Sequence, residues 1–352
     1  MPLGVYVHIP FCARRCDYCA FATWTDRHHL MGAYAQACER EIAEADLASA
    51  SSVFFGGGTP SLLPADLLCS ILAAVPRRPG AEVTVECNPD SVSQEAFAAY
   101  RAAGVTRVSF GAQSTAPHVL ASLGRTHRPG DLAAAVALAR AVGFSTFNVD
   151  LIFGAVGESV DDWERTLDDV LGLDPPHVSA YALTVEPGTP IAADPNRRPD
   201  DDDQAEKYAL ADAILGGAGL ANYEISNWAR PGHECRHNLL YWRQGDYRGI
   251  GCAAHSHESG RRWWNVRTPD RYIAAIESGR SPVAAVEELD EQGRRLEGLQ
   301  LALRTSGGVP DAAVPPDPDL DRLVHRDGER ARLTVEGRLL ANEVAIRLLP
   351  QV

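Results

Sequence analysis

Cys12, Cys16 and Cys19 stand in the string HIPFCARRCDYCAF with the spacing C-x3-C-x2-C. Three thiolates on one short loop suit an iron–sulfur cluster, because soft sulfur ligands select for it. A cubane cluster held by three cysteines leaves one iron without a protein ligand, and an open metal position is where a substrate binds. Zinc is the weaker reading. It normally takes four ligands from paired C-x2-C units, and no fourth partner lies close in the sequence. A disulfide reading fails on the odd count of this group.

The elements that must hold this loop follow from the hydrophobic pattern. Val5–Ile9 reads as a strand running straight into it. Further strands are expected at Val53–Phe55, Val83–Glu86, Val108–Phe110, Phe147–Ile152 and Val178–Tyr181. Helices are expected near His29–Ala45, Ala65–Ala74, Glu95–Ala103, Asp131–Val142, Asp161–Leu171 and Gln204–Leu215. Strands alternating with helices imply parallel β–α units. Six of them predict an α/β fold, an incomplete (β/α)6 barrel of the TIM type over residues 1–220. In such barrels chemistry sits at the C-terminal ends of the strands. Polar or glycine-rich residues recur at those ends here: the cysteines, Gly57-Gly58-Thr59, Glu86, Gln113, Asp150 and Tyr181. Each alone is ordinary turn chemistry; together they point at one cavity. The glycines of Gly56–Thr59 let backbone approach a ligand closely, and Glu86 suits ribose hydroxyls or an ammonium.

Composition restricts the setting. The chain has 352 residues, 45% apolar and 23% charged, with a net charge of −14 and eight cysteines. The acidity argues against non-specific nucleic-acid binding, which rests on neutralising phosphates. The run Asp200–Asp203 reads as a solvated helix start, where the dipole favours acids. No apolar run approaches the roughly 20 residues of a membrane span. No signal peptide is visible, so a cytoplasmic location is expected, with cysteines as metal ligands or buried thiols.

The cysteine spacing resembles that of the radical S-adenosylmethionine (SAM) enzymes. In order along the chain, GVYVHIPFC, FFGGGTPS, VECNP, SFGAQS, LGRTH, NVDLIFG and YALTVEPGTP are similar to the HemN/HemW group. This resemblance implies a 4Fe-4S cluster on Cys12, Cys16 and Cys19, with SAM chelated at the open iron and split by an electron from the cluster. It implies that Tyr6, Gly57 and Glu86 line that SAM. Tyr18, Gly58, Thr59, Gln113, Arg125 and Asp150 would line a second SAM site. One departure is visible: Gly154-Ala155-Val156-Gly157 stands where the group usually has a Leu-Pro.

The second half separates subfamilies. Phe21 occupies the place of a further cysteine found in the oxygen-independent coproporphyrinogen oxidases, and Cys12 leaves no room for their N-terminal extension. Tyr223–Gly232, Cys235–Trp242, Gly249–Ser256 and Arg262–Asn265 are instead similar to the HemW haem chaperones. The resemblance implies haem as ligand, a haem-accepting respiratory protein and an electron donor as partners, and a peripheral membrane encounter through the acceptor. Imidazole is a common axial ligand of haem iron. His237, in a connecting segment 221–285, is the expected ligand, with His255 and His257 as alternatives. A zinc site on Cys235, His237, Cys252 and His255 is the competing reading. Residues 286–352 are expected to form a smaller α+β, winged-helix-like domain serving as lid or partner surface. Its helices are expected at Asp290–Leu303, Asp319–His325 and Gly337–Leu349, and its strand at Ala331–Val335. The alternative function is a HemN-like methylase or cyclopropanase using two SAM molecules, on haem or a small metabolite.

Overall fold

Along the first six strands apolar and polar residues alternate, and the structure, a computed structural model, shows why. The description covers residues 2–349. Strands β1 (Leu3–Ile9), β2 (Ala50–Gly57), β3 (Arg77–Cys87), β4 (Arg107–Gln113), β5 (Phe147–Phe153) and β6 (His177–Ala182) pair in parallel in that order. One face carries Val5, Val7, Phe55, Val85, Phe110, Val149 and Val178, all fully buried. Against it pack α1 (Met31–Glu44), α2 (Ala65–Ala74), α3 (Gln94–Ala103), α5 (Pro129–Ala141), α6 (Val160–Leu171) and α8 (Asp201–Gly217), with most of their buried side chains in one apolar core, while α4 (Pro117–Ser122) and α7 (Pro190–Ala193) bury Val119 and Ile191 in a smaller cluster with Ile152 and Leu183. Each such side chain contributes about 1.5–3 kcal/mol on burial. The other face carries the inward rows: Phe54–Thr84–Arg107 and Glu86–Ser109–Asn148–His177 in register across neighbouring strands. Barrel interiors are ordinarily filled with branched apolar residues; this one is polar.

The expected helices after each strand form within a few residues of their expected bounds. Asp200 caps α8, accepting the Asp203 N–H at 2.9 Å, as the acidic run suggested. The sheet, however, is larger than the six strands. β7 (Ala221–Glu224) and β8 (Asn227–Ala229) add antiparallel strands beyond β6. After α9 (Arg236–Trp242), β9 (Asp246–Ile250) joins β1 in parallel. Then β10 (His255–Glu258), β11 (Arg261–Asn265), α10 (Pro269–Glu277) and β12 (Val283–Glu288) complete a twelve-stranded sheet running β12-β11-β10-β9-β1-β2-β3-β4-β5-β6-β8-β7. The segment 221–285 thus supplies strands to both flanks of the barrel sheet.

The C-terminal part contains α11 (Glu291–Ala302), β13 (Val309–Pro310), β14 (Val324–Arg326), β15 (Arg330–Leu333), α12 (Val335–Leu339) and α13 (Ala341–Ala345). Its small antiparallel sheet and its own apolar core of Leu303, Val309, Leu320, Ala331 and Val344 match the expected α+β unit. Two local expectations fail. Only Pro318–Leu320 is helical where a helix to His325 was expected, because Val324–Arg326 pairs with β15. The last helix is broken at Leu340, whose φ of −106° and ψ of 30° leave the α region.

Candidate functional site: a cysteine loop at the barrel mouth

The cysteine loop leaves β1 and returns to it. Phe11 and Trp24 form a parallel bridge, Cys12 N–H donates to the Trp24 carbonyl at 3.1 Å, and Trp24 N–H donates to Pro10 at 2.8 Å. Glycines close the other side. Gly58 N–H donates to Ile9 and Thr59 N–H to Phe11, both at 2.8 Å. A Cβ on Gly58 would lie 2.7 Å from the Phe11 carbonyl and 3.1 Å from Cys12 Sγ. Gly57 has φ 109°, and a Cβ there would lie 2.5 Å from the His8 ring. The glycine run therefore seats the loop as well as exposing backbone.

All eight cysteines are free thiols. Cys12, Cys16 and Cys19 line one mouth cavity of about 610 Å³, together with Tyr18, Gly57, Gly58, Thr59, Glu86, Gln113, Arg125 and Asp150. Tyr6 lines the adjoining space beneath, sharing walls at Gly57, Glu86 and Asp150. All thirteen expected site residues thus fall on two contiguous cavities, twelve of them toward the strand ends and His237 on the wall of the inner one. Among the described residues no three His, Cys, Asp or Glu side chains converge to hold a single metal ion. That includes the expected zinc alternative on Cys235, His237, Cys252 and His255.

The residues at the mouth fit a cluster and a ligand beside it. Arg125 Nη1 donates to Cys16 Sγ at 3.4 Å and Thr59 Oγ1 to Cys12 Sγ at 3.6 Å. Arg125 Nη2 is held by Asn88 Oδ1 at 2.8 Å and the Gly111 carbonyl at 2.6 Å, while its Nε is buried with no partner. An orphaned buried donor at this wall asks for a ligand acceptor. Burial pushes the Cys12 and Cys19 thiols up, so an adjacent cation is needed to hold them as thiolates. Gln113, buried, has φ 67°, a strained backbone of the kind that clusters at ligand sites.

Below the cysteines the polarity of hydrogen bonds is determined by partners that can only accept. His8 Nε2 lies 2.9 Å from the Ala22 carbonyl, so Nε2 carries the proton. Nδ1 of the neutral ring is then an acceptor, and the Tyr6 hydroxyl donates to it at 3.1 Å. The remaining lone pairs of Tyr6 are left to accept from a ligand. Burial lowers His8 to about 4, which keeps the ring neutral. Glu86 accepts from Gly57 N–H at 3.2 Å. Burial, then the nearby Asp150 charge, raises its carboxyl to about 8. Asp150 is raised by burial and restrained by Ser109 Oγ at 2.8 Å and Asn148 Nδ2 at 2.7 Å.

His237 is not at the mouth. It is buried near the start of β1, with Nδ1 2.9 Å from Ser52 Oγ, Nε2 2.8 Å from Tyr241 Oη, and its ring stacked on Phe54 at 5.3 Å. Both ring nitrogens are engaged, so an iron could be reached only by breaking the Ser52 or the Tyr241 bond. His257 is likewise engaged, by the Gly245 carbonyl at 3.0 Å and Gly260 N–H at 3.1 Å. His255 is exposed, stacked on Trp264 at 5.5 Å, and no described residue hydrogen-bonds its ring. Residues that the sequence reading passed over are Arg107, Ser109, Asn148, His177 and Asn227 on the inner face and Asn88 beside Arg125. Their signal was present: polar side chains at every second position of otherwise apolar strands.

The unusual Gly154–Gly157 turn after β5 is held from behind. Glu158 accepts from Gly154 N–H at 2.6 Å, and the buried Lys207 ammonium donates to the Glu158 carbonyl and to Asp203, each at 2.7 Å.

Comparison with known proteins agrees with this architecture. Residues 6–170 match the family model of the Radical SAM superfamily. The chain is 44% identical to the heme chaperone HemW of Mycobacterium tuberculosis (strain ATCC 25618 / H37Rv), over 99% of this chain and 95% of that protein. It belongs to the HemW family of radical SAM proteins. Other members include heme chaperone HemW of Bacillus subtilis (strain 168), 32% identical over 97% of each chain. That of Escherichia coli (strain K12) is 38% identical over 84% of this chain and 77% of that protein. Among solved structures, coproporphyrinogen III oxidase (HemN) from Escherichia coli superimposes with a TM-score of 0.83 at 22% identity, covering 98% of this chain and 89% of that one. This last likeness concerns the fold. No helix among the described residues is long and apolar enough to cross a membrane.

Proposed function

We propose that this HemW-family chain is a haem chaperone that holds a 4Fe-4S cluster on Cys12, Cys16 and Cys19, binds SAM beside it and passes haem to respiratory haem proteins in the cytoplasm or at the membrane surface. The observation that carries the reading is the convergence of the three thiols with Gly57, Gly58, Thr59, Glu86, Gln113, Arg125 and Asp150 on one cavity. A cluster bound there would supply one electron to the SAM sulfonium. The chain's own residues do the rest. Tyr6, polarised through His8, accepts from the SAM ammonium. Glu86 and Asp150 face its polar groups, and Arg125 holds the Cys16 sulfur in place. For haem, the exposed and unbonded ring of His255 supports ligation there better than the enclosed His237.

The test is anaerobic reconstitution followed by incubation with haem, SAM and a strong reductant, with mass analysis of the recovered haem. Retained haem of unchanged mass is the expected result. His255→Ala should shift the Soret band, whereas His237→Ala should not; the reverse outcome would restore His237 as ligand. A second reading, a methylase or cyclopropanase using two SAM molecules, is favoured by Tyr18, Gln113, Arg125 and Asp150 sharing the cavity with the cysteines. It predicts haem, or a small metabolite, that gains a methyl group.

A further inference from the structure

A second cavity, of about 250 Å³, lies below Glu86 and Asp150 and reaches Arg107 and His177, the first residues of β4 and β6. Three polar groups on its wall are incompletely matched. Arg107 is 2% exposed, forms no ion pair among the described residues, and makes one hydrogen bond, from Nη1 to the His233 carbonyl at 2.9 Å. Thr84 Oγ1 and Asn227 Oδ1 are buried without partners.

The neighbouring polar groups are already spoken for. Glu82 accepts from the backbone N–H groups of Arg236 and His237, both at 3.1 Å. His177 Nδ1 meets Asn148 Oδ1 at 2.6 Å and Nε2 meets Tyr223 Oη at 2.7 Å. Asn148 Nδ2 in turn donates to Asp150, Ser109 and Ser179. Among the fully buried atoms of this wall, Thr84 Oγ1 and Asn227 Oδ1 are left without a partner, and Arg107 has one hydrogen bond.

Trapped water would satisfy a hydroxyl and an amide oxygen, but water does not neutralise a buried guanidinium, and an unpaired buried charge is strongly unfavourable. The planar fork of Arg is matched best by a carboxylate or phosphate. The Asp150 carboxylate on the same cavity disfavours a doubly charged phosphate and favours a cationic group. Asn227 Oδ1 can only accept, so it asks for a donor on the same ligand. The space exceeds that of a few waters and falls short of the roughly 300 Å³ where drug-sized pockets begin.

We propose that this inner chamber binds a small amino acid, with its carboxylate on Arg107 and Thr84 and its ammonium toward Asn227 and Asp150. The site shares Asp150 with the proposed SAM site but requires neither the cluster nor haem.

The experiment is calorimetric titration of the cluster-loaded full chain with glycine, L-alanine and acetate at constant ionic strength. The amino acids should bind saturably, and acetate at least about tenfold more weakly for want of the charge-assisted ammonium bonds. Arg107→Gln should abolish binding. Thr84→Val, close in shape, should weaken it about threefold or more for loss of one hydrogen bond, and it keeps the test decisive if Arg107→Gln does not fold. No saturable heat with either amino acid, or equal affinity in wild type and Thr84→Val, overturns the site. Acetate binding as tightly as glycine overturns the ammonium half. SAM binding on the same samples separates the two readings: its loss with glycine binding intact would count against the proposed function alone.

Discussion

Charge is handled oppositely in the barrel and in the C-terminal unit. In the barrel, Lys207 and Glu158 are ion-paired at 3.3 Å with both side chains fully buried, and Glu86, Asp150 and Arg107 lie on an interior that a stability-driven design would make apolar. In the C-terminal unit no ion pair among the described residues is fully buried, and several lie at the surface: Arg332–Asp327 at 38% and 40% side-chain exposure, and Arg322–Glu336 more exposed still. Surface pairs of this kind contribute about 0–1 kcal/mol, whereas removing one partner of a buried pair costs about 3–5 kcal/mol. The barrel accepts costly polar burial where ligands are to be met. The C-terminal unit is held by its own small apolar core and docks through few polar contacts, such as Arg338 on Asp212 at 2.7 Å and Ser306 N–H on the Tyr223 carbonyl at 2.9 Å.

The sharpest way to separate the two regions is at the cysteines. Cys12→Ser, Cys16→Ser or Cys19→Ser should abolish iron and sulfide loading while far-ultraviolet circular dichroism stays native; a variant that keeps a full cluster would remove that residue from the ligand set. Next, Lys207→Met should lower unfolding stability by about 3–5 kcal/mol in urea titrations, because Glu158 is left buried and uncompensated. Gly57→Ala should cost about 1–3 kcal/mol through backbone strain and weaken SAM binding, since the new methyl meets the His8 ring.

A pH series probes the interior from both sides. Glu86 is raised from the ordinary 4.5 to about 8. Between those values the folded state holds a proton that the unfolded state has released, so this group's contribution falls as pH rises from 4.5 to 8. His8, lowered from 6.5 to about 4, and His237, lowered to about 3, work in the other direction: the unfolded state gains their protons first, so stability falls as pH drops below 6.5. Glu86→Gln should flatten the alkaline slope and leave the acidic one; urea midpoints across pH 4.5–8 check both. The smallest effect is expected from the C-terminal unit. Arg332→Ala, at the exposed pair with Asp327, should cost about 1 kcal/mol or less, and a chain ending after Glu288 should still load its cluster. A truncated chain that folds but takes up no iron would show that the two regions are not separable.

Much of the barrel could be read from the sequence because its strands and helices are long and strictly alternating. Ala65–Ala74 was read with both ends correct, and the mouth residues were recoverable from strand ends. The flanking strands were not, and the reason is physical. β7 has four residues and β8 three, and β10 and β11 carry His255, His257, Arg261 and Arg262 rather than an apolar alternation. Such strands form because a neighbouring edge offers hydrogen bonds, which local sequence does not encode. The Leu340 break was missed for a similar reason. Helical propensity runs through the last segment, but Gly337 is pressed against the Leu323 backbone and Val344 must turn into the small core. His237 looked like a ligand because its neighbours are aromatic; Ser52, 185 positions away, is what engages its Nδ1.

The place of β1 has a consequence for the order of events during synthesis. It precedes every other described strand, yet it pairs on one side with β2 and on the other with β9, at Asp246–Ile250. One edge of Leu3–Ile9 therefore stays unsatisfied until more than two-thirds of the chain has been translated. Closing such distant contacts is slow, and an exposed strand edge invites wrong pairing meanwhile. The cysteine loop hangs directly from that strand. On a nascent chain the three thiols emerge early but are seated late, so correct loading with iron and sulfide belongs after β9 has emerged rather than at the loop's first appearance.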